Sequence, residues 1–435
     1  MAVSGKKDAS RLAIDGGKPV RKKPLPQEWC GSHYIDESEV KAVTRVIRSR
    51  SPFRYYGLKL QAEAAKLEKE FARYLGVKYA LGLNSGTAAL QVALAALGVG
   101  PGDEVLVPAY FWVSIPAAIV RSGAIPVLVD TDDTFSMDPG KIEAKITPRT
   151  RVILPVHMGG VIGRIEEMVA VARRHGLKVL EDCAQAAGAV QKGRKPGTFG
   201  DIAIFSFQLN KHMTSGEGGM LVTNDEALYK RAFAVHDLGY WRNEKGRLEF
   251  GDPTLQLWGI GARMSELTAA MARVQLKKLD RICKAMRNAK NRMKKAVAGI
   301  PGITPRRVLD PAGDCGSFLL LSFADRELSY RFLKALQAEG IQVAAGGLYP
   351  IHMEEWGLHI YYNNPSLVHR RSNSPKSVWD LVENAQSQAS YGKGTCPSLD
   401  DLVSRTILLC VASNLTKRDV DDIIVAMKKV AAALL

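Results

Sequence analysis

One lysine, Lys211, keeps unusual company: Phe205-Ser206-Phe207-Gln208-Leu209-Asn210-Lys211-His212-Met213-Thr214-Ser215-Gly216-Glu217-Gly218-Gly219. Its neighbours are small, polar or glycine, on a loop that follows an apolar strand pattern. A lysine withdrawn from water loses affinity for its proton and becomes a nucleophilic amine able to form an imine. Upstream, KVLED at 178–182 ends on Glu181-Asp182 and runs into Cys183-Ala184-Gln185-Ala186-Ala187-Gly188. A carboxylate at the end of a buried strand is costly unless it meets a cation or a charge-assisted hydrogen bond. Pyridoxal 5′-phosphate (PLP) needs both groups. Its aldehyde takes the lysine, and its pyridine nitrogen stays protonated beside an anion such as Asp182, so that the ring can draw in electrons.

Two other turns fit the same ligand. Asn84-Ser85-Gly86-Thr87-Ala88-Ala89 leads from a short apolar strand directly into a helix pattern. Free backbone N–H groups, the helix dipole and two hydroxyls there can hold a phosphate, although helix capping alone also accounts for the serine and threonine. Ala109-Tyr110-Phe111-Trp112-Val113-Ser114 puts aromatic rings where a turn would ordinarily be polar. Trp112 offers a flat face to a planar cofactor; core packing is the plainer alternative.

The elements that must position these residues are legible from periodicity. YALGL (79–83), EVLVP (104–108), PVLVD (126–130), RVILPV (151–156), KVLED (178–182) and IAIFSF (202–207) are buried strands. Between them lie helix patterns such as TAALQVALAALG (87–98) and IEEMVAVARRHG (165–176). Apolar strands alternating with helices predict a mostly parallel sheet covered on both faces, with ligands beyond the carboxyl ends of its strands. A long helix at 265–298, then Pro301, Pro305 and Pro311, marks a boundary. The expected organisation is an N-terminal arm (1–34), a large domain (35–298) and a smaller α/β domain (299–435), the last containing a long irregular connection at 357–400.

Composition narrows the function classes. Hydrophobic residues make up 46% and charged residues 24%, values that belong to globular rather than disordered or fibrous chains. The six cysteines form no CxxC pair and the eight histidines no HExxH, so neither a metal centre nor a disulfide framework is expected. No apolar run suffices for a membrane span, and the charged N-terminus lacks a signal-peptide pattern, which predicts a cytoplasmic protein. The net charge of +16 is concentrated in part at 281–307, a stretch with no acidic residue and no interleaved aromatics. A solvated helix face is the expectation there, rather than nucleic-acid binding; an anionic substrate fits the excess equally well.

Taken in order, SGTAAL (85–90), the Trp112 turn, EDCAQAAGA (181–189), FSFQLNKHMTSGEGGMLVTND (205–225) and ARMSELTAA (262–270) resemble the DegT/DnrJ/EryC1/StrS family of PLP-dependent sugar aminotransferases. The resemblance implies a fold-type I PLP-dependent transferase acting as a homodimer with shared active sites. It further implies Lys211 as the imine lysine, Asp182 at the pyridinium nitrogen and Gln185 at the phenolic oxygen. Gly86, Thr87, Ala88 and Ser206 would hold the phosphate, and Trp112 would stack on the ring. The activity implied is transfer of an amino group from a small amino acid, glutamate or glutamine, to a keto-sugar, cyclitol ketone or keto-acid sugar. Related sugar 3-dehydratases carry histidine in place of the lysine and retain a following His-Met; here Lys211 precedes His212-Met213, which favours transamination. A non-catalytic regulator with this fold is the rival from another class, and the intact Lys211 and Asp182 argue against it. One departure is Gly261, where the family commonly has an asparagine that reaches the partner's cofactor phosphate; either water or Arg263 substitutes, or the cofactor is held less tightly. Tyr55-Tyr56-Gly57, His157-Met158-Gly159-Gly160 and Tyr349-Pro350-Ile351-His352 are candidate substrate contacts.

Overall fold

The computed structural model describes residues 11–435 except 244, 345, 346 and 348. Helices α1 (Glu37–Ser49) and α2 (Glu63–Leu75) precede β1 (Tyr79–Leu83), α3 (Gly86–Ala96), β2 (Glu104–Pro108), α4 (Ser114–Arg121), β3 (Ile125–Val129) and β4 (Thr150–Ile153). Then follow α5 (Ile165–Arg174), β5 (Lys178–Asp182), β6 (Ile202–Ser206), β7 (Gly219–Thr223) and α6 (Glu226–His236). The seven strands form one sheet in the order β1-β7-β6-β5-β4-β2-β3. All pairings among β2 to β6 are parallel, whereas β7 runs antiparallel to both β1 and β6. No helix separates β6 from β7. The loop 207–218 turns the chain straight back, so β7 reverses direction and Lys211 is left beyond the carboxyl end of β6.

Both faces of this sheet are buried, which explains why its strands are almost continuously apolar. Leu106, Ile153, Val179, Phe205 and Val222 face one core with Leu67, Phe71 and Leu279. Their alternates Val105, Val107, Leu154, Leu180, Ile204 and Leu221 face the other with Leu90, Leu94 and Ile119.

Two short strands, β8 (Trp241–Arg242) and β9 (Leu248–Glu249), pair as a hairpin before α7 (Glu266–Val297). The amino end of α7 helps to start α2. Both Glu266 oxygens accept backbone N–H groups there, from Glu63 at 2.6 Å and Ala64 at 2.9 Å, which serves donors that a helix start leaves free. A second sheet, antiparallel in the order β10 (Thr304–Pro305), β11 (Phe318–Ser322), β13 (Thr406–Cys410), β12 (Ile351–His352), packs with α8 (Arg326–Ala338) and the final helix Lys417–Leu434. The stretch 357–400 is made of short helical turns and Pro365–Val368, with Pro397–Ser404 beginning at its end.

Residues 11–34 lie along the C-terminal sheet and helices. Arg21 pairs with Asp419 at 2.7 Å and Asp422 at 2.8 Å, Leu25 bridges Val343, and Gly31 N–H donates to the Lys211 carbonyl at 3.0 Å. This stretch therefore ends against the loop that carries the lysine.

The basic run 281–307 is only partly a solvated face. Arg281, Lys284 and Arg292 are exposed, but Lys290 is buried in an ion pair with Asp314. Arg306 is buried too, donating to the carbonyls of Thr134 at 2.6 Å and Met158 at 2.8 Å. Lys290 ties α7 to the segment that follows it, and Arg306 holds that segment to the large domain. The expectation of a wholly solvated face is corrected, because long basic side chains with a buried acceptor in reach pack inward.

Candidate active site

Beyond the carboxyl ends of β5 and β6 lies a cavity of about 680 Å³. Lys211, Asp182, Gln185, Ser206, Gly86, Thr87 and Trp112, distant in sequence, all line it. Ala88 does not. Its N–H donates to the Ser85 hydroxyl at 3.0 Å, which caps the helix. Gly86 and Thr87 keep first-turn N–H groups that bond no described residue. Glycine is required at 86 by close approach: a Cβ there would lie 2.8 Å from Ser206 Cβ.

Asp182 is buried, and its Oδ1 accepts from the Ala184 N–H at 2.9 Å. Burial pushes its carboxyl above the usual carboxylate range despite the attraction of Lys211. The Lys211 amine bonds no described residue, and burial pulls it below the usual lysine range, against the pull of Asp182 and Cys30. An acid raised and an amine lowered in one cavity define a site short of a cationic ring and a carbonyl carbon, which is what PLP brings. Gln185 Oε1 accepts from the Gly159 N–H at 3.1 Å, leaving its amide nitrogen as a donor toward the cavity, suited to an anionic phenolic oxygen. The residues fit the cofactor.

Behind Asp182, Glu181 is buried in a cage of donors: His157 at 3.0 Å and the N–H groups of Gly197, Phe199 and Gly200 at 2.7–2.9 Å. Burial alone would raise its carboxyl, but His157 and the Gly200 and Gly197 amides outweigh it and hold the carboxyl low. This network fixes the strand end that presents Asp182. His157 is thus a brace rather than the expected substrate contact, although Met158 beside it lines the cavity. Tyr55 is likewise turned inward, with its hydroxyl on His236 at 3.2 Å, and His352 is buried, stacked on Tyr330 at 3.8 Å. Of the candidate contacts, Met158, Tyr349 and Ile351 reach the cavity.

The opposite wall escaped sequence reasoning. Glu28, Cys30, Ser317, Phe318, Trp356 and His359 complete it, from segments with no shared motif. Trp112, 42% exposed, tilts against His359 at 4.7 Å, and His359 stacks on Trp356 at 3.9 Å. Burial lowers His359 to a pKa of about 3, so that ring is neutral. At the cavity edge His212 Nδ1 donates to the Ala187 carbonyl at 2.9 Å, where the thiols of Cys283 and Cys315 also converge.

Burial also depresses His212 and His352 to about 4 and His236 to about 3. Between those values and about 6.5 the unfolded chain binds more protons than the native one, so stability falls as pH drops through that window. Each histidine contributes a slope of at most about 1.4 kcal/mol per pH unit. Denaturant melts between pH 8 and 5 should show a plateau above about pH 7 and a decline below it; equal midpoints at pH 7 and pH 5 would contradict neutral burial.

A sheet of this order, with a lysine that bonds no described residue on the loop after β6 and a buried carboxylate ending the adjacent β5, is an α/β fold with its candidate site beyond the strand ends. The DegT/DnrJ/EryC1/StrS aminotransferase family model matches residues 33–368, and the chain belongs to that family. It is an aminotransferase. GDP-perosamine synthase of Caulobacter vibrioides is 44% identical over 220 residues, covering 49% of this chain and 56% of that one. A protein of Streptoalloteichus tenebrarius described as a putative L-glutamine:3-amino-2,3-dideoxy-scyllo-inosose aminotransferase is 37% identical over 352 residues, covering 78% of this chain and 81% of its own. The solved aminotransferase of Psychrobacter cryohalolentis superposes with a TM-score of 0.75 at 26% identity, covering 95% of this chain and all of that one. Among the described residues no helix is long and apolar enough to cross a membrane.

Proposed function

We propose that this aminotransferase works with PLP held by Lys211, moving an amino group from glutamine or glutamate to a keto-sugar or ring ketone. The observation that carries the proposal is the pair formed by Lys211, whose amine bonds no described residue, and the buried Asp182 in the same cavity. PLP supplies an electron sink for the carbon that loses its proton. Asp182 provides the anion that keeps the sink cationic. With the cofactor bound, the Lys211 amine would take the proton from the donor's α-carbon, and its burial favours the neutral form this requires. Gly86, Thr87 and Ser206 receive the phosphate, Gln185 donates to the phenolic oxygen, and Trp112 covers the ring face. In the second half-reaction the same lysine returns a proton to the acceptor. Borohydride reduction of holoenzyme should fix the cofactor to a peptide containing Lys211; label on any other lysine overturns the assignment.

A dimer with shared sites belongs to the same proposal. Trp258 is 95% exposed and Phe250 66%, both on the segment between the β8–β9 hairpin and Gly261, and Leu58 in the connection before α2 is 84% exposed; a second copy would cover such apolar side chains. The Arg263 guanidinium is anchored through one nitrogen by the buried Asp237 at 2.5 Å. Gly261 has φ +65°, and a Cβ there would meet only Arg263 at 3.9 Å. Asparagine tolerates that conformation better than other side chains. Gly261→Asn is therefore expected to fold and to tighten PLP binding several-fold, through one added hydrogen bond of about 1 kcal/mol to the partner's phosphate. An unchanged dissociation constant in an intact dimer would withdraw the contact. The separate sheets on either side of α7 support the division near residue 298; of the proposed arm 1–34, residues 1–10 lie outside the described residues.

A further inference from the structure

Resting on the function proposed above, we infer that His359 is a positioning residue: stacked on Trp356, it sets the plane in which Trp112 meets the cofactor ring. Trp112 needs such a support. The residue is 42% exposed, and among the described residues His359 is the only ring packed against it. A half-exposed indole has several rotamers open to it, and a ligand that requires one of them binds more weakly by the cost of selecting it. Trp112 and His359 both line the cavity that holds Lys211, so their contact lies at the site itself.

The backbone brings the two rings together. Residues 359–361 run antiparallel to 109–111: the Phe111 N–H donates to the His359 carbonyl at 3.0 Å, the Tyr361 N–H donates to the Ala109 carbonyl at 3.2 Å, and Tyr110 bridges Ile360. This pairing sets the imidazole beside the Trp112 indole, with centroids 4.7 Å apart and planes at 45°. The imidazole also stacks on Trp356, at 3.9 Å and 13°. Trp356 is the fixed base. It is 3% exposed, meets Phe318 edge-on at 5.4 Å, and donates from its indole to the Tyr349 hydroxyl at 2.9 Å. Support therefore runs from a buried indole through the imidazole to a half-exposed one. Histidine suits the middle place because its Nδ1–H donates to the Trp356 carbonyl at 3.1 Å, which holds the ring in its plane.

The test is a double-mutant cycle on PLP affinity, read by titrating apoenzyme with PLP and by the visible circular dichroism of the bound cofactor, which follows the tilt of its ring. His359→Leu should weaken PLP binding about fivefold, the size expected for one lost aromatic stack, and should alter the dichroism. His359→Phe keeps a flat ring and should stay within about twofold of wild type. In a Trp112→Leu background, His359→Leu should change affinity by less than about twofold, because the side chain through which it acts is gone. Equal losses in both backgrounds, or a loss in His359→Phe as large as that in His359→Leu, would make His359 a merely structural residue and overturn the inference. Should His359→Leu fail to fold, as judged by thermal melts of the apoenzyme, His359→Gln serves the same cycle by keeping a polar side chain and removing the ring. Wild-type apoenzyme that takes up no PLP would instead overturn the proposed function.

Discussion

Lys211→Ala should fold, dimerise and still bind PLP through the phosphate-facing turn, yet lose steady-state transamination by at least about 10⁴-fold. The side chain projects from the loop 207–218 into the cavity and bonds no described residue, so its removal breaks no internal contact. What is lost is chemical: one amine both forms the link to the cofactor and carries the proton to and from the reacting carbon, and no other lysine or arginine lines the described cavity. The measurements are turnover with a glutamine donor, and PLP content after gel filtration. Turnover within tenfold of wild type would remove Lys211 from the mechanism.

Asp182→Asn should be the next most damaging change, lowering kcat by about 10²–10³-fold while PLP affinity changes much less. The amide preserves the bond to Ala184 N–H and the shape of the strand end. It removes only the negative charge that keeps the pyridine nitrogen protonated, an interaction whose value rises as charge develops during proton transfer. A substrate deuterium isotope effect at the α-carbon should therefore increase in the variant. Near-normal turnover would show that another group stabilises the ring, and equal losses in affinity and kcat would mean that Asp182 serves binding alone.

The site was half legible before the fold was known. Lys211 and Asp182 could be singled out because each is an ionisable residue adjoining a strictly apolar strand, a local conflict that folding tolerates where function needs it. Trp112 and the Ser85–Thr87 turn were visible for similar reasons. At Ala88 the sequence left two uses of one N–H open, the helix cap and a phosphate, and the fold gives that N–H to the Ser85 hydroxyl. Tyr55 and His157 were misjudged, since a polar side chain next to a strand end can equally brace the protein interior.

Periodicity in this chain determined six strands of the large sheet, the helix now seen at Glu266–Val297, and the side of the sheet where chemistry had to occur, because hydrophobic spacing is a local property that burial on two faces enforces. Tertiary structure alone decided the reversal of β7, the inward turn of Lys290 and Arg306, and the union of Glu28, Ser317 and Trp356 in one wall. Those outcomes depend on which distant segments can satisfy a buried charge or fill a shared cavity, and contacts of that kind leave no period in the sequence.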